Sequence, residues 1–455
     1  MTAKSPAAQS GTGPAPNTWW FNPAVFILGP VLMSISVWAV IVLSGILRRY
    51  PPAATTSLLG FSVPAPVSLP GVVLLATFYL FLTWVAMVGW GLGGTRGDRP
   101  FAGPRTPAMS ERRYFLVILA VATVGVGYCY ATVASRRSVI GALSSQTSNQ
   151  LYDSLPQNAG VQTLRYACIL AAPLGFYLWR KGTIRTPLMV FSVSLLLLNS
   201  ILASRLSLLM ASCVYLTIWV RTREPSGAGR RRYLGAILAT AVVGFVLLTA
   251  LNYTRNANFY RELGVADPVA MNLAQSSQYV SVPAQVSLGV ADFVMTGKWH
   301  VTSGPVDSLG TITPTFLQKN KVRKADKKKY GSDYGYSSTF APQYFTNSVF
   351  ADTYAEYGAW GWFYTFIIYG VAGYLLARLM QAEPVIAATG GVIAYCFAEI
   401  WRIQIFTYGF VIFLLLLTAG AAWIARITPT EEDRLEPGNA ATVGAREAKG
   451  RGRRV

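Results

Sequence analysis

The sequence predicts an all-α polytopic membrane protein, with about ten transmembrane helices and one large outer loop between spans seven and eight. Three observations carry that expectation. Of 455 residues, 53% are hydrophobic and only 13% charged, a balance outside that of soluble domains. Apolar runs of about 20 residues recur, the length that crosses a hydrocarbon core of roughly 30 Å. The connections between them alternate in Lys/Arg content, as the positive-inside rule requires.

Taken in order, residues 1–21 form a Pro/Ala/Gly-rich tail expected to be disordered and cytoplasmic. The first apolar run, Ala24 to Leu47, is too long for a signal-peptide core and is expected to stay as an anchor. The second runs Leu69 to Gly91, the third Tyr114 to Val133 and the fourth Leu164 to Trp179. Thr186 to Val220 is nearly continuous apolar chain, and as one helix it would be about 52 Å long, far beyond a bilayer. Both its flanks are basic: Arg180, Lys181 and Arg185 before it, Arg221, Arg223 and Arg230 to Arg232 after it. Two cytoplasmic flanks require a hairpin, with Ser204 and Arg205 at its outward tip.

Tyr233 to Leu251 is the seventh predicted span, completing the block 22–251. Residues 252–346 then form a long polar island, read as a large extracytoplasmic loop, because polar chain of this length lies in water or lines a protein cavity. Ala359 to Leu379 returns the chain, and Pro384 to Ala425 forms a second hairpin with Glu399, Trp401 and Arg402 at its tip, within the block 347–425. Residues 426–455 read as a second disordered cytoplasmic tail. The three inner connectors carry five, three and five Lys/Arg, which places both termini on the cytoplasmic side of the plasma membrane.

The net charge of +20 lies mostly in loops between apolar runs, so it serves topology and membrane lipids, not nucleic acid. All four cysteines lie in apolar segments, and there is a single histidine. That leaves no disulfide framework in the large loop, no thiolate or histidine-rich metal site, and no cofactor motif.

The predicted topology gathers Arg205, Arg255, Arg261 and Arg402 near one interface. Arginine presents a fixed fork of donors that suits a diphosphate and stays charged when desolvated; the other reading is snorkelling to headgroup phosphates. On the same side lie Asp352, Glu356 and Glu399. Glu356 is a candidate general base, and equally a salt-bridge partner for one of the arginines. His300 is a possible base or phosphate contact, or a loop residue without a role. The cluster Lys319 to Lys329 would attract anionic lipid, glycan or diphosphate. The aromatics that follow it, Tyr330, Tyr334, Tyr336, Phe340, Tyr344 and Phe345, suit sugar rings and interfacial anchoring alike.

Three features of this pattern resemble the O-antigen polymerase family, the oligosaccharide repeat-unit polymerases: the hairpin "NSILASRLSLL" with Ser204 and Arg205, the single large loop in the second half, and "TNSVFADTYAEYGAWGWFYTFIIYG". In the last, Thr346, Asn347, Tyr354, Gly358 and Gly361 fall at the positions of the family's Thr-Asn and Tyr-x-x-x-Gly-x-x-Gly, and the two glycines are expected to permit close helix packing. Some members carry an arginine and a glycine separated by ten residues; no such pair starts at Arg255, Arg261 or Arg402. The resemblance implies a metal-independent glycosyltransferase that uses polyprenyl-diphosphate-linked oligosaccharide, works on the outer face and partners a chain-length regulator. In that reading Glu356, Glu399 and His300 are the catalytic candidates, and the four arginines bind diphosphate. An O-antigen ligase-type transferase shares the architecture and gives His300 more weight. A flippase for lipid-linked sugar belongs to another class, and expects mid-membrane charges and an internal repeat. A structural partner of a synthase complex is a further alternative.

Overall fold

A computed structural model describes residues 21–49, 51–95, 109–136, 138, 139, 141, 155, 159–202, 205–222, 244, 246, 249, 250, 253, 256–298, 304–314, 317, 339–341 and 348–427. Among these the chain is helical, with no strand. The elements are α1 (Pro23–Leu43), α2 (Ile46–Arg49), α3 (Pro52–Leu59), α4 (Leu69–Thr95), α5 (Glu111–Arg136), α6 (Ala159–Leu164), a 3₁₀ turn (Arg165–Ala167) and α7 (Cys168–Arg180). They continue with α8 (Thr186–Leu202), α9 (Arg205–Thr222), α10 (Pro268–Met295), α11 (Val349–Gln381), α12 (Pro384–Ala387), α13 (Gly390–Ala398) and α14 (Gly409–Ile427).

Among the described residues, five stretches are long and apolar enough to cross a membrane: Pro23–Leu43, Leu69–Gly94, Glu111–Arg136, Tyr357–Gln381 and Gly409–Ile427. Shorter apolar helices span Thr186–Leu202, Leu206–Thr222 and Pro384–Ala398. Leu32, Val40, Leu80, Trp84, Leu416 and Trp423 are among the large apolar side chains left exposed, a surface suited to lipid rather than water. The seventh predicted span lies outside the described residues except for 244, 246, 249 and 250.

Hydrogen bonds tie the helix ends into two groups. At one end Lys181 after α7 meets Glu111 at the start of α5, the Ser110 N–H donates to the Ala425 carbonyl of α14, Arg221 of α9 to the Ala382 carbonyl, and Gln381 of α11 to the Gly93 carbonyl of α4. At the other, the Tyr130 hydroxyl of α5 donates to the Leu198 carbonyl of α8, and the Val349 N–H of α11 to the Ile400 carbonyl between α13 and α14. The second group contains the end of α8, the start of α9 and the 399–408 segment.

Small residues set the closest approach. A Cβ on Gly89 of α4 would lie 2.0 Å from the Gly370 carbonyl oxygen of α11, and one on Gly373 2.1 Å from that of Ala86. Neither helix could sit where it does with a larger residue there. Gly358 and Gly361 do something other than the close helix packing expected of them. Gly358 has φ 59° and ψ −144° inside α11, a conformation open to little but glycine, and it kinks the helix. A Cβ on Gly361 would lie 2.5 Å from the Thr353 carbonyl oxygen across that kink. The bend folds Trp362 onto Tyr354, ring centroids 4.8 Å apart.

The stretch 252–346, read from sequence as one polar loop, contains a long helix built into the body. Asp267 caps α10 by accepting from the Ala270 N–H at 2.7 Å, with Pro268 at the first position, both strong start signals. Every residue from Ser281 to Asp292 is buried, as in a helix surrounded by protein. Its central amide, Gln285, is satisfied from distant chain. Gln285 accepts from Trp38 Nε1 at 2.6 Å and the Ala65 N–H at 2.9 Å, and donates to the Val63 carbonyl at 2.7 Å and the Phe340 carbonyl at 3.3 Å. Phe340, expected on an exposed aromatic surface, is instead buried against Gly289 and Phe293.

Candidate functional site

The Glu399–Arg402 turn follows directly from α13, which ends at Ala398. The Glu399 backbone N–H still bonds to the Tyr395 carbonyl, and those of Arg402 and Ile403 bond back to the Glu399 carbonyl. This compact turn puts three side chains on one face. The Tyr395 hydroxyl donates to Glu399 Oε1, and Arg402 Nε donates to Glu399 Oε2 at 2.7 Å. Glu399 is 6% exposed, so its charge is tolerated because both oxygens are engaged by donors.

Arg402 is thereby held by its Nε edge. Its two Nη groups form no hydrogen bond among the described residues. The guanidinium carbon lies 5.6 Å from the ring centroid of Tyr279, a residue of α10. The Val349–Ile400 backbone bond, 3.0 Å, sets the start of α11 beside this turn. Ser348 caps α11 by accepting from the Ala351 N–H, and also accepts from Ser287 of α10 at 2.5 Å. Three elements, α10, α11 and the 399–402 turn, are thus fixed around one arginine. The positive end of the α11 dipole adds to its field.

The sequence-predicted residues fall differently around this centre. Glu399 and Arg402 are brought together as a pair. Glu356 lies on α11 within two turns of its start, at the same end, and Asp352 lies in the first turn. Arg205 opens α9 at the other tip of that end. Arg261 is exposed and locally occupied: Nη2 donates to the Tyr253 hydroxyl at 2.7 Å, Nη1 to Asn258 at 3.3 Å, and the guanidinium lies over the Tyr253 ring. It is not part of the Arg402 cluster. Arg255, His300 and the lysines 319–329 lie outside the described residues.

Two residues were missed by the sequence reading. Tyr279 was hidden in the supposed loop, although the Asp267–Pro268 cap signalled the helix that carries it. Arg165 falls inside the predicted span Leu164 to Trp179 without being singled out; it is 2% exposed, and a lone arginine opening the apolar run "RYACILAAPLGF" was its signal. At the opposite end, Glu111 accepts from Lys181 at 2.7 Å, and that hydrogen bond raises the Lys181 pKa. A shallow groove there is lined by Ser110, Glu111, Arg112, Lys181, Thr183 and Glu383. No protein-family model, curated protein or solved structure matches this chain.

Proposed function

We propose that this chain is a polysaccharide polymerase, a glycosyltransferase that moves a glycan from polyprenyl diphosphate to a lipid-linked repeat unit at the outer face of the plasma membrane. The observation that carries the reading is Arg402. A carboxylate neutralises its Nε edge and fixes its direction, while both Nη donors are left for a bidentate acceptor such as diphosphate. In this reading the end bearing Arg402 and Arg205 faces outward, the Lys181 end faces the cytoplasm, and both tails are cytoplasmic, in keeping with the basic connectors.

The chemistry assigned to the site is a displacement at the anomeric carbon. The acceptor hydroxyl oxygen forms the new bond, its proton passes to Glu356, and the bond from the anomeric carbon to the phosphate oxygen breaks. The leaving lipid diphosphate takes the electron pair, and Arg402, with Arg205, stabilises that charge as it develops. Glu399 is a positioning residue, because both its oxygens already accept hydrogen bonds. Tyr279 offers an aromatic face beside the guanidinium.

The test is polymer formation by the purified chain from lipid-linked repeat units. Arg402→Lys keeps the charge but cannot both bond Glu399 and present a fork, so the product ladder should weaken at least tenfold while the protein still folds. A full ladder from a well-folded Arg402→Gln protein would overturn the assignment, and absence of any ladder from wild type with verified donor would overturn the polymerase reading.

A further inference from the structure

Arg165 is the least explained charge in the described structure. Its side chain is enclosed, and Nε and Nη1 have no hydrogen-bond partner; Nη2 donates to the Tyr166 hydroxyl at 3.1 Å, and the guanidinium lies over that ring at 4.9 Å. Among the described residues no carboxylate is within ion-pairing distance of it. A desolvated cation without a counter-charge is strongly unfavourable and marks a missing anion.

The backbone holds Arg165 there deliberately. The helix is interrupted by the 3₁₀ turn Arg165–Ala167, and Gly125 of α5 admits it: a Cβ on Gly125 would lie 2.2 Å from the Arg165 backbone nitrogen. Such mid-helix 3₁₀ segments recur at functional positions. Beside the guanidinium lie Cys129, whose thiol is a weak hydrogen-bonding neighbour of it, and Cys168, within electrostatic reach; Asn199 is within hydrogen-bonding reach of Cys168. Asn199 is also buried and incompletely satisfied. Nδ2 donates to Ser207 at 2.8 Å, while Oδ1 has no partner. Turning the amide over would let Oδ1 accept from the Ser207 hydroxyl and free the NH₂ to donate. The freed NH₂ would be a second donor beside Cys168, which the Arg165 charge also reaches.

The location narrows the anion. Asn199 and Ser207 flank the tip that carries Arg205, while Tyr166 stacks on Phe410 at the start of α14, centroids 4.6 Å apart. The Arg165 turn therefore lies between the two tips, on the Arg402 side of the helices, with apolar helix surface around it. An acceptor reaching this point must travel on a molecule that enters among helices. We propose that Arg165, with Asn199, is a binding site for a phosphoryl group of a lipid, either a polyprenyl diphosphate carrier or a membrane phospholipid headgroup. The carrier alternative rests on the polymerase reading; the headgroup alternative does not.

The experiment uses the full chain in nanodiscs of neutral phosphatidylcholine and reads thermal unfolding with and without added undecaprenyl diphosphate, and separately in discs containing phosphatidylglycerol. Wild type should gain stability with at least one of these lipids. Arg165→Gln and Arg165→Met should unfold at a higher temperature than wild type without anionic lipid, because an uncompensated charge is gone, and should lose most of the lipid-dependent rise. Arg165→Lys should keep part of it. A rise confined to undecaprenyl diphosphate assigns the carrier; a comparable rise with phosphatidylglycerol assigns the headgroup. The site is refuted if no lipid stabilises wild type, if the variants unfold earlier without lipid, or if they retain the full rise. A rise lost in Arg165 variants of a chain that makes no polymer would sustain this site and sink the polymerase. Unchanged rise with normal polymer would do the reverse.

Discussion

Glu399→Gln is the perturbation whose consequence follows most directly from the geometry. The glutamate accepts from Tyr395 through Oε1 and from Arg402 Nε through Oε2, with the two side chains of the ion pair 7% and 17% exposed. A glutamine presents only one oxygen. Its NH₂ must face either the tyrosine hydroxyl or the arginine Nε–H, which in the second case opposes donor to donor. Arg402 also loses its counter-charge in a largely desolvated place. Removing one partner of a buried pair costs about 3–5 kcal/mol; the exposure left to Arg402 puts the expectation near the lower figure, or roughly 5 °C in unfolding temperature for a chain of this size. Arg402→Gln alone should cost a similar amount. The double variant should cost clearly less than the sum, with a coupling of about 2 kcal/mol. Thermal unfolding in detergent micelles, followed by tryptophan emission, measures all four corners of the cycle. If the two single effects add to within about 0.5 kcal/mol, the carboxylate does not hold Arg402 and the account of its orientation fails.

Other expectations follow from separate places. Gly373→Ala puts a Cβ 2.1 Å from the Ala86 carbonyl oxygen, so α4 and α11 must part by roughly 1 Å and stability should fall by about 1–3 kcal/mol. Gly91→Ala, on the same α4 with nothing within 4 Å, should be neutral or slightly stabilising in the same melt. Gly358→Ala forces a side chain into φ 59°, ψ −144°, a strain of about 1–3 kcal/mol; Trp362 emission should shift as its packing on Tyr354 is lost, and an unchanged spectrum would show that the kink does not depend on glycine. Burial raises the Glu383 pKa, partly offset by Arg426. A carboxylate whose folded pKa exceeds its unfolded value favours folding while protonated and loses that contribution as pH rises through the folded value. Glu383→Gln should therefore raise the unfolding temperature at pH 7–8 and leave it unchanged below the ordinary glutamate pKa; the opposite pH dependence would contradict the burial.

What the sequence made legible was whatever depends on composition over a whole helix. The long apolar helices α1, α4 and α5 fall on predicted runs, and the split of Thr186–Val220 into α8 and α9 follows from counting length against bilayer thickness and reading the charge of both flanks. The α10 helix was not legible by that route because its core positions are partly polar. Gln278, Ser281, Gln285, Ser287 and Asp292 are all buried. Gln285 looks like loop chemistry until its partners at Trp38, Val63, Ala65 and Phe340 are seen, and these lie 55 or more positions away in the chain. Hydropathy records the cost of a buried amide but not the partners that offset it. The glycines of "YGAWG" show the same limit: the motif was visible, but whether they serve packing between helices or a bend within one depends on φ, which no residue pattern reports.

The arginines show how far counter-charge, rather than position, decides what a cation can do. Arg261, Arg402 and Arg165 all lie near helix ends or turns, where position alone does not separate them. Arg261 is exposed and donates to Tyr253 and Asn258, so water and neutral acceptors already satisfy it, and little is gained by a ligand there. Arg402 is desolvated, yet its charge is balanced by Glu399, and the balance is one-sided: the carboxylate occupies Nε and leaves the Nη pair. Such a residue can take a doubly charged ligand and release it, because the site is tolerable both empty and filled. Arg165 has neither water nor carboxylate among the described residues. A bound phosphoryl group there would relieve a standing penalty, so it should be held longer than one at Arg402. If both sites touch the same carrier, Arg165 is suited to retaining it and Arg402 to the charge that appears when the sugar departs. Substituting Arg165 should then lower affinity more than turnover, whereas substituting Arg402 should lower turnover more than affinity.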